Sequence, residues 1–146
     1  MLKLTLKPKH TITGIAGGKN SAALYLRKYM LNKGAVFTLK LMEIFNRHHV
    51  SYEHMPSGID DLTVIFKKDA LSDQLIDVIC NEIQTSLNHD QMQWIDDYAI
   101  TMVVGEGMKD KLTLCASIFY PLGKKDISIQ MINQGASQKA SSASRT

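Results

Sequence analysis

The feature that most constrains the fold of this 146-residue chain is an internal repeat. An extended run at residues 50–58 resembles a second run at residues 127–135, which lies 77 positions later. Each run follows a helical pattern and ends at a glycine, and the same offset aligns the two helical patterns without a gap, as Phe37 with Leu114. The sequence therefore predicts two copies of one strand-helix-strand unit.

The first copy is predicted to be a complete α+β unit. Apolar residues alternate where a strand is predicted and recur at helical spacing where a helix is predicted. The predicted elements are a strand at 22–30, a helix at 35–49, strands at 51–55 and 62–66, a helix at 72–89 and a strand at 93–95. The two middle strands could pair as a hairpin, and Ser72 is the predicted N-cap of the second helix. This βαββαβ order is the split arrangement of ferredoxin-like folds, in which two helices cover one face of an antiparallel sheet.

The second copy is predicted to be incomplete. It begins with a strand at 98–104, continues into a helix whose apolar stripe starts at Leu114, and has a second strand at 127–132. The residues after Gly135 show no apolar periodicity, which is typical of a disordered tail. We therefore expect an N-terminal strand segment at 1–18, a first module at 19–97, a partial second module at 98–137 and a tail at 138–146. The N-terminal strand or another subunit could complete the second module.

Charge and hydropathy bound the class of protein. Residues 1–42 carry eight Lys or Arg and no acid, but these basic residues are spread singly among apolar ones, without the dense cluster or aromatic platform of a nucleic-acid surface. No apolar run approaches the roughly 20 residues that span a bilayer, and no secretory signal follows the lysine-rich start. We expect a cytoplasmic protein with neither nucleic acid nor membrane as a partner.

The sequence motifs do not indicate a catalytic or metal centre. Glycines before Lys19 lack the spacing of a phosphate loop, and the glycines at 105–107 lack the third glycine of a dinucleotide fingerprint. His48, His49 and His54 could supply metal ligands, but adjacent helical histidines point about 100° apart and no cysteine lies at ligand spacing. We therefore interpret them as surface histidines, and expect neither catalytic residues nor a metal.

The repeated unit can instead bind a small polar ligand. The start of its helix presents backbone N–H groups at a positive helix end, which suits a carboxylate. The neighbouring strand can offer an acidic side chain to an ammonium group, and an amino acid carries both groups. The alternative is that Ser51, Glu53 and Ser57 merely occupy an exposed strand edge, and periodicity alone leaves both interpretations open.

Five runs of residues together form a recognisable pattern. The runs are ITGIAG at 12–17, KYM at 28–30 followed by Asn32, SYEHMPSGID at 51–60, VVGEGM at 103–108 and MINQGAS at 131–137. They resemble the C-terminal regulatory part of aspartate kinase, which is a pair of ACT modules. The resemblance extends over about residues 11–137, and its two most specific runs are at 51–60 and 131–135.

The resemblance implies a ferredoxin-like ACT module followed by an incomplete second one. Aspartate kinases phosphorylate aspartate with ATP on the way to lysine and threonine biosynthesis, and their ACT modules bind an end-product effector such as lysine or threonine, form a homodimer and inhibit the kinase domain. That catalytic domain is expected to precede this segment. ATP and magnesium would bind only there, so no cofactor is expected in this segment, and this chain alone is not expected to be an enzyme.

The resemblance also implies effector-binding residues. In the first module they are Val36, Phe37 and Thr38 at the start of the helix and Ser51, Tyr52, Glu53 and Ser57 on the facing strand. Among these, the carboxylate of Glu53 is expected to bind the ammonium group of the ligand. In the second module they are Met108, Thr113, Leu114, Ile129, Gln130, Asn133 and Gln134.

Two of these positions depart from the family pattern. The family usually has glycine where this chain has Val36, and Pro-Gly where it has Leu112 and Thr113. A Cβ at a position that the ligand carboxylate must approach closely can block binding. The alternative function is therefore a structural dimerisation domain without effector binding.

Overall fold

The computed structural model describes residues 12–105, 114–134 and 139–145, with residues 134 and 139–145 described by their backbone. The chain divides into two compact units, which we call the first module (Asn20–Tyr98) and the second module (Met1–Lys19 with Ala99–Thr146). The helices and strands are β1 (Gly14–Arg27), α1 (Ala35–Arg47), β2 (Asp61–Lys67), α2 (Asp73–Ser86), β3 (Gln91–Val104), α3 (Leu114–Gly123), β4 (Ile129–Gln134) and β5 (Lys139–Arg145), with one-turn 3₁₀ helices at Leu31–Lys33 and Lys68–Ala70.

The first module has the predicted ferredoxin-like arrangement. Strand β1 lies between β2 and β3, and it pairs with β2 in antiparallel register, with Leu24 opposite Val64. We call residues 51–58 the edge segment, which pairs with β2 at two antiparallel bridges, His54 with Ile65 and Ser57 with Leu62. The predicted pairing of the hairpin is therefore present, but residues 51–55 form isolated bridges and not the predicted strand. The sheet order is edge segment, β2, β1, β3.

Both helices of the first module pack apolar residues against the same face of this sheet, α1 through its whole predicted stripe and α2 through Ile79 and Ile83. The buried residues form one cluster: Leu24, Leu26, Leu31, Phe37, Leu41, Ile44, Phe45, Leu62, Val64, Phe66, Ile79, Ile83 and Leu87. Phe66 lies between two aromatic rings, with centroids 5.3 Å from Phe45 in an edge contact and 5.6 Å from Trp94 in a stack. Such pairs add to the stabilisation that apolar burial alone provides.

The ends of both helices follow from local sequence. Ser72 is the predicted N-cap of α2, and its Oγ accepts the Leu75 N–H at 3.2 Å. After α1, the His49 N–H donates to Asn46 O and the Val50 N–H to Phe45 O, which is the Schellman pattern. His49 accordingly has the left-handed φ of 53° that this motif requires.

The second module buries far fewer of its described residues. Strand β5 lies between β3 and β4, and pairs with β4 in antiparallel register. Within this module the N-terminal part of the chain is joined to β3, because the Thr13 N–H donates to Val104 O at 2.8 Å. The buried cluster consists of Val103 and Leu114, with Ile12 and Ile118 packed against it.

Three further expectations from the sequence are wrong. The strand predicted at 22–30 ends at Arg27, because Met30 turns the chain with a left-handed φ of 58°. The strands predicted at 93–95 and 98–104 are one strand, β3, in which Asp97 takes a left-handed φ of 65° and Asp96 pairs with Lys68 at 3.0 Å. The tail predicted at 138–146 contains β5, whose pairing with β4 through the backbone needs no apolar pattern.

None of the helices in the described part of the chain is long and apolar enough to cross a membrane.

Candidate functional site

The first turn of α1 carries three of the predicted effector residues. Val36 is 59% exposed, Thr38 is half-buried, and Phe37 lies in the core. Gly34 caps the helix without a side-chain hydrogen bond, and no acidic side chain lies in the first turn. The partial positive charge of this helix end is therefore not compensated locally by a carboxylate of its own turn.

The other four predicted residues of the first module lie on the edge segment. Its backbone is fixed to β2, since the Glu53 N–H donates to Ile65 O at 2.8 Å and the Ile65 N–H donates to His54 O at 2.8 Å. Ser51, Tyr52, Glu53 and Ser57 are all exposed. The structure thus places these side chains on an accessible sheet edge, where a ligand or a second chain can reach them.

Hydrogen bonds join the end of the edge segment to the turn before α1. Asp60 accepts two of them: its backbone carbonyl accepts the Lys28 N–H at 2.8 Å, and Oδ1 of its carboxylate accepts the Met30 N–H at 2.8 Å. Ile59 O accepts the Asn32 N–H at 3.1 Å. The two segments that carry the predicted effector residues of the first module are therefore connected through residues 59–60.

A cavity of about 200 Å³ opens beside the start of α1. Its lining residues are Lys28, Gly34, Val36, Phe37, Lys40, Ser86, Leu87 and Asn88, and none of them belongs to the edge segment. The Lys28 Nζ donates to Asn88 O at 2.7 Å and lies 5.8 Å from the centre of the Phe37 ring. The structure thus brings Val36 and Phe37 together with two lysines that the sequence analysis did not single out.

The sequence contained only weak signals for these cavity residues. Lys28 belongs to the KYM run that carries the family resemblance, but Asn88, its partner, is 60 positions away. Neither periodicity nor a local motif links positions so far apart, so only the folded chain shows that they line one cavity.

The predicted residues of the second module are less clearly grouped. Leu114 is buried in the small core with Val103, so its side chain serves packing. Ile129 and Asn133 are half-buried on β4, and the exposed Gln130 donates from Nε2 to Ser128 Oγ at 2.8 Å. Gln134 ends β4, while Met108 and Thr113 lie outside the described residues.

Comparison with known proteins shows what this chain is similar to. Residues 102–143 match the family model of the ACT domain. Aspartokinase 3 of Bacillus subtilis (strain 168) is 32% identical over 127 residues, which are 87% of this chain and 28% of that protein. The chain is therefore similar to the regulatory region of aspartate kinases, and it spans under a third of this relative's length. The predicted resemblance is therefore confirmed, and the matched part of the relative is its regulatory part and not its kinase domain.

Solved structures agree with this ACT regulatory region in fold. Aspartate kinase of Clostridium acetobutylicum has a TM-score of 0.86 and 34% identity, over 93% of this chain and 31% of that one. The regulatory subunit of aspartate kinase from Thermus flavus has a TM-score of 0.78 and 16% identity, over 93% of this chain and 90% of that one. The ACT region thus spans under a third of the two whole kinases and most of the regulatory subunit.

The imidazole of His48 and the carboxylate of Glu82 have structural partners. Glu82 on α2 accepts from Arg47 and from His48 Nε2, the latter at 2.6 Å, and so ties α2 to the end of α1. These hydrogen bonds, from His48 first and then Arg47, hold the pKa of Glu82 below its usual value of 4.5. Across the described residues, no group of three or more His, Cys, Asp or Glu is placed to hold a metal ion.

Proposed function

We propose that this ACT region senses an amino acid and passes the signal to an aspartate kinase domain. In this proposal lysine or threonine binds the first module, two copies of the chain pair through their ACT modules, and the occupied state inhibits the kinase. The ATP and magnesium of the reaction would bind the kinase domain, and the assembly would act in the cytoplasm in amino-acid biosynthesis.

The observation that carries this proposal is the connection between α1 and the edge segment. The start of α1 is a positive helix end that suits a carboxylate, and Glu53 on the edge segment is an exposed acid that suits an ammonium group. Residues 59–60 join the two segments by three hydrogen bonds. Relatives support regulation as well, since the Clostridium acetobutylicum enzyme is described as allosteric.

A structural dimerisation domain is the second candidate, and the exposed apolar surface of the first module favours it. Val36 and Leu39 on α1 are 59% and 58% exposed, and Ile59 after the edge segment is 71% exposed. Apolar side chains that stand in solvent at neighbouring positions are typical of protein contacts. Val36 also carries a Cβ where the family usually has glycine, which disfavours close approach of a carboxylate.

Calorimetric titration of the 146-residue chain with lysine, threonine and methionine, combined with its mass in solution, separates the two candidates. An effector-binding region gives saturable heat with at least one amino acid. Glu53→Ala should weaken that binding about tenfold or more, because a charge-assisted hydrogen bond is lost. Glu43→Ala, which removes an exposed glutamate of α1, is the matched control and should bind normally.

Two other results would decide against this proposal. A dimer that gives no heat with any of the three amino acids would leave only the structural role. Phosphorylation of aspartate by the 146-residue chain alone would contradict the assignment of a purely regulatory function.

A further inference from the structure

The turn between β1 and α1 is held by two aspartates from distant parts of the chain. Three consecutive backbone N–H groups, at positions 28, 29 and 30, each donate to one of them. Asp60 accepts the first through its carbonyl and the third through its carboxylate, while Asp90 Oδ2 accepts the Tyr29 N–H at 2.7 Å. Long-range contacts therefore hold this turn in addition to its local hydrogen bonds, such as that from the Leu31 N–H to Lys28 O at 3.1 Å.

Met30 shows why the turn needs such support. Its φ of 58° is left-handed, a conformation that costs a residue with a side chain roughly 1–2 kcal/mol. Local strain of this kind persists where surrounding contacts hold the backbone in place. The hydrogen bond from the Met30 N–H to the Asp60 carboxylate is such a contact, and it is of the stronger, charge-assisted type.

The two aspartates differ in what they join to the turn. Asp90 lies just before β3, and its own N–H donates to Arg27 O at 2.8 Å, so it ties the turn to the neighbouring strand. Asp60 follows the edge segment directly and belongs to the same SYEHMPSGID run as Glu53. Of the two aspartates, Asp60 is therefore the one that joins the turn, and with it the start of α1, to the edge segment, next to the hydrogen bond from the Asn32 N–H to Ile59 O.

We propose that Asp60 is a positioning residue of the effector site, which sets the start of α1 against the edge segment before an amino acid binds. This inference rests on the proposed function, because it concerns the same site. Asp60 does not contact the ligand in this proposal. It lowers the cost of binding by ordering both halves of the site in advance, which is the general advantage of preorganisation.

Three variants of the 146-residue chain test this inference. Asp60→Ala removes the carboxylate, and Asp60→Asn is the conservative variant, because its amide oxygen can still accept the Met30 N–H. Asp90→Ala is the matched control, since it frees one N–H of the same turn without touching the edge segment. The measurements are calorimetric affinity for lysine and threonine, amide hydrogen exchange, and unfolding followed by the fluorescence of Trp94, the single tryptophan.

We expect Asp60→Ala to weaken amino-acid binding about tenfold, whereas Asp60→Asn and Asp90→Ala stay within about threefold of the wild type. Exchange should rise at the Met30 amide and along residues 51–57 in Asp60→Ala, but at the Tyr29 amide in Asp90→Ala. Wild-type affinity in Asp60→Ala would overturn the inference. So would an equal loss in Asp60→Asn, because an acceptor oxygen placed for the Met30 N–H would then not be sufficient, or an equal loss in Asp90→Ala, because the link to the edge segment would then not be what matters.

The exchange measurement keeps this inference separate from the proposed function. If the wild type binds no amino acid, the proposed function fails, and exchange at residues 30 and 51–57 still decides whether Asp60 orders the two segments. If the wild type binds and Asp60→Ala shows neither weaker binding nor faster exchange there, only the positioning role fails.

Discussion

The two modules repeat one sequence pattern but differ in how much of it they bury. In the first module the apolar stripe of α1 is buried at all four of its positions, Phe37, Leu41, Ile44 and Phe45. In the second module, the described part of the corresponding stripe on α3 is buried only at Leu114, while Ile118 is partly buried. The repeat thus predicts where a helix forms, but burial depends on what the helix packs against.

The second helix of the first module accounts for much of this difference. Helix α2 contributes Ile79 and Ile83 to the same cluster that α1 enters, so the sheet face is covered by two helices. Within residues 99–105, 114–134 and 139–145, the second module has α3 as its one helix. A sheet face covered by a single helix leaves less apolar surface removed from water, and so less stabilisation.

The largest expected effect comes from Phe66→Ala in the first module. Phe66 is 1% exposed and contacts both Phe45 and Trp94, so its removal leaves a cavity that the rigid core cannot refill. We expect the free energy of unfolding to fall by about 3–5 kcal/mol. Urea unfolding followed by Trp94 fluorescence measures this directly, because Trp94 stacks on the deleted ring.

Val78→Ala is the control for this prediction. Val78 is 50% exposed on α2, and a surface substitution should change the free energy of unfolding by no more than about 0.5 kcal/mol. If Phe66→Ala lowers the free energy of unfolding no more than Val78→Ala does, the aromatic cluster does not stabilise the first module. The difference in burial between the two modules would then not be a difference in stability.

Leu114→Ala tests how much the buried core of the second module contributes to the free energy of unfolding. Leu114 is 2% exposed, but its cluster contains one other buried residue, Val103. We expect a loss of about 2 kcal/mol, at the lower end for a buried leucine, because few neighbours lose contacts. Far-UV circular dichroism follows the whole chain during urea unfolding, and Ile132→Ala, at a 54% exposed position, is the control. A cost equal to that of Phe66→Ala would mean that the two cores are equally filled.

The sequence could predict the features that depend on neighbouring residues. The stripe of α1 and the cap at Ser72 are local patterns, and both are confirmed. The strand β5 could not be predicted, because its serines and alanines pair through the backbone, which carries no side-chain signal. The link from Met30 to Asp60 spans 30 positions and depends on a left-handed turn, so it also emerges only from the folded chain.

Ser72→Ala tests the element that most distinguishes the first module, helix α2. The Ser72 side chain satisfies the Leu75 N–H, one of the donors that a helix start leaves without an intrahelical partner. We expect its loss to cost about 1 kcal/mol by urea unfolding. Ser72→Asp should restore the stability, because aspartate caps a helix start equally well. If neither variant differs from the wild type, the start of α2 does not limit the stability of the module.

The smallest effect concerns the ion pairs that tie α1 to α2 at Glu82. Hydrogen bonds from His48 and Arg47 lower the pKa of Glu82 below 4.5, so the folded state favours the carboxylate. The resulting stabilisation is complete above pH 4.5 and is lost as the pH falls through the lowered pKa. Because Arg47 is exposed and Glu82 is only partly buried, the effect should be small and should shrink in concentrated salt.

Glu82→Gln should therefore flatten the decline of the urea midpoint on acidification below pH 4.5, and should change it little at neutral pH in concentrated salt. Glu43→Gln, at an exposed position of α1, is the matched control and should keep the acid-dependent decline of the wild type. If the urea midpoint of Glu82→Gln declines with acid as in the wild type, the hydrogen bonds of Glu82 do not stabilise the first module. Any difference in stability between the first and the second module would then come from apolar burial.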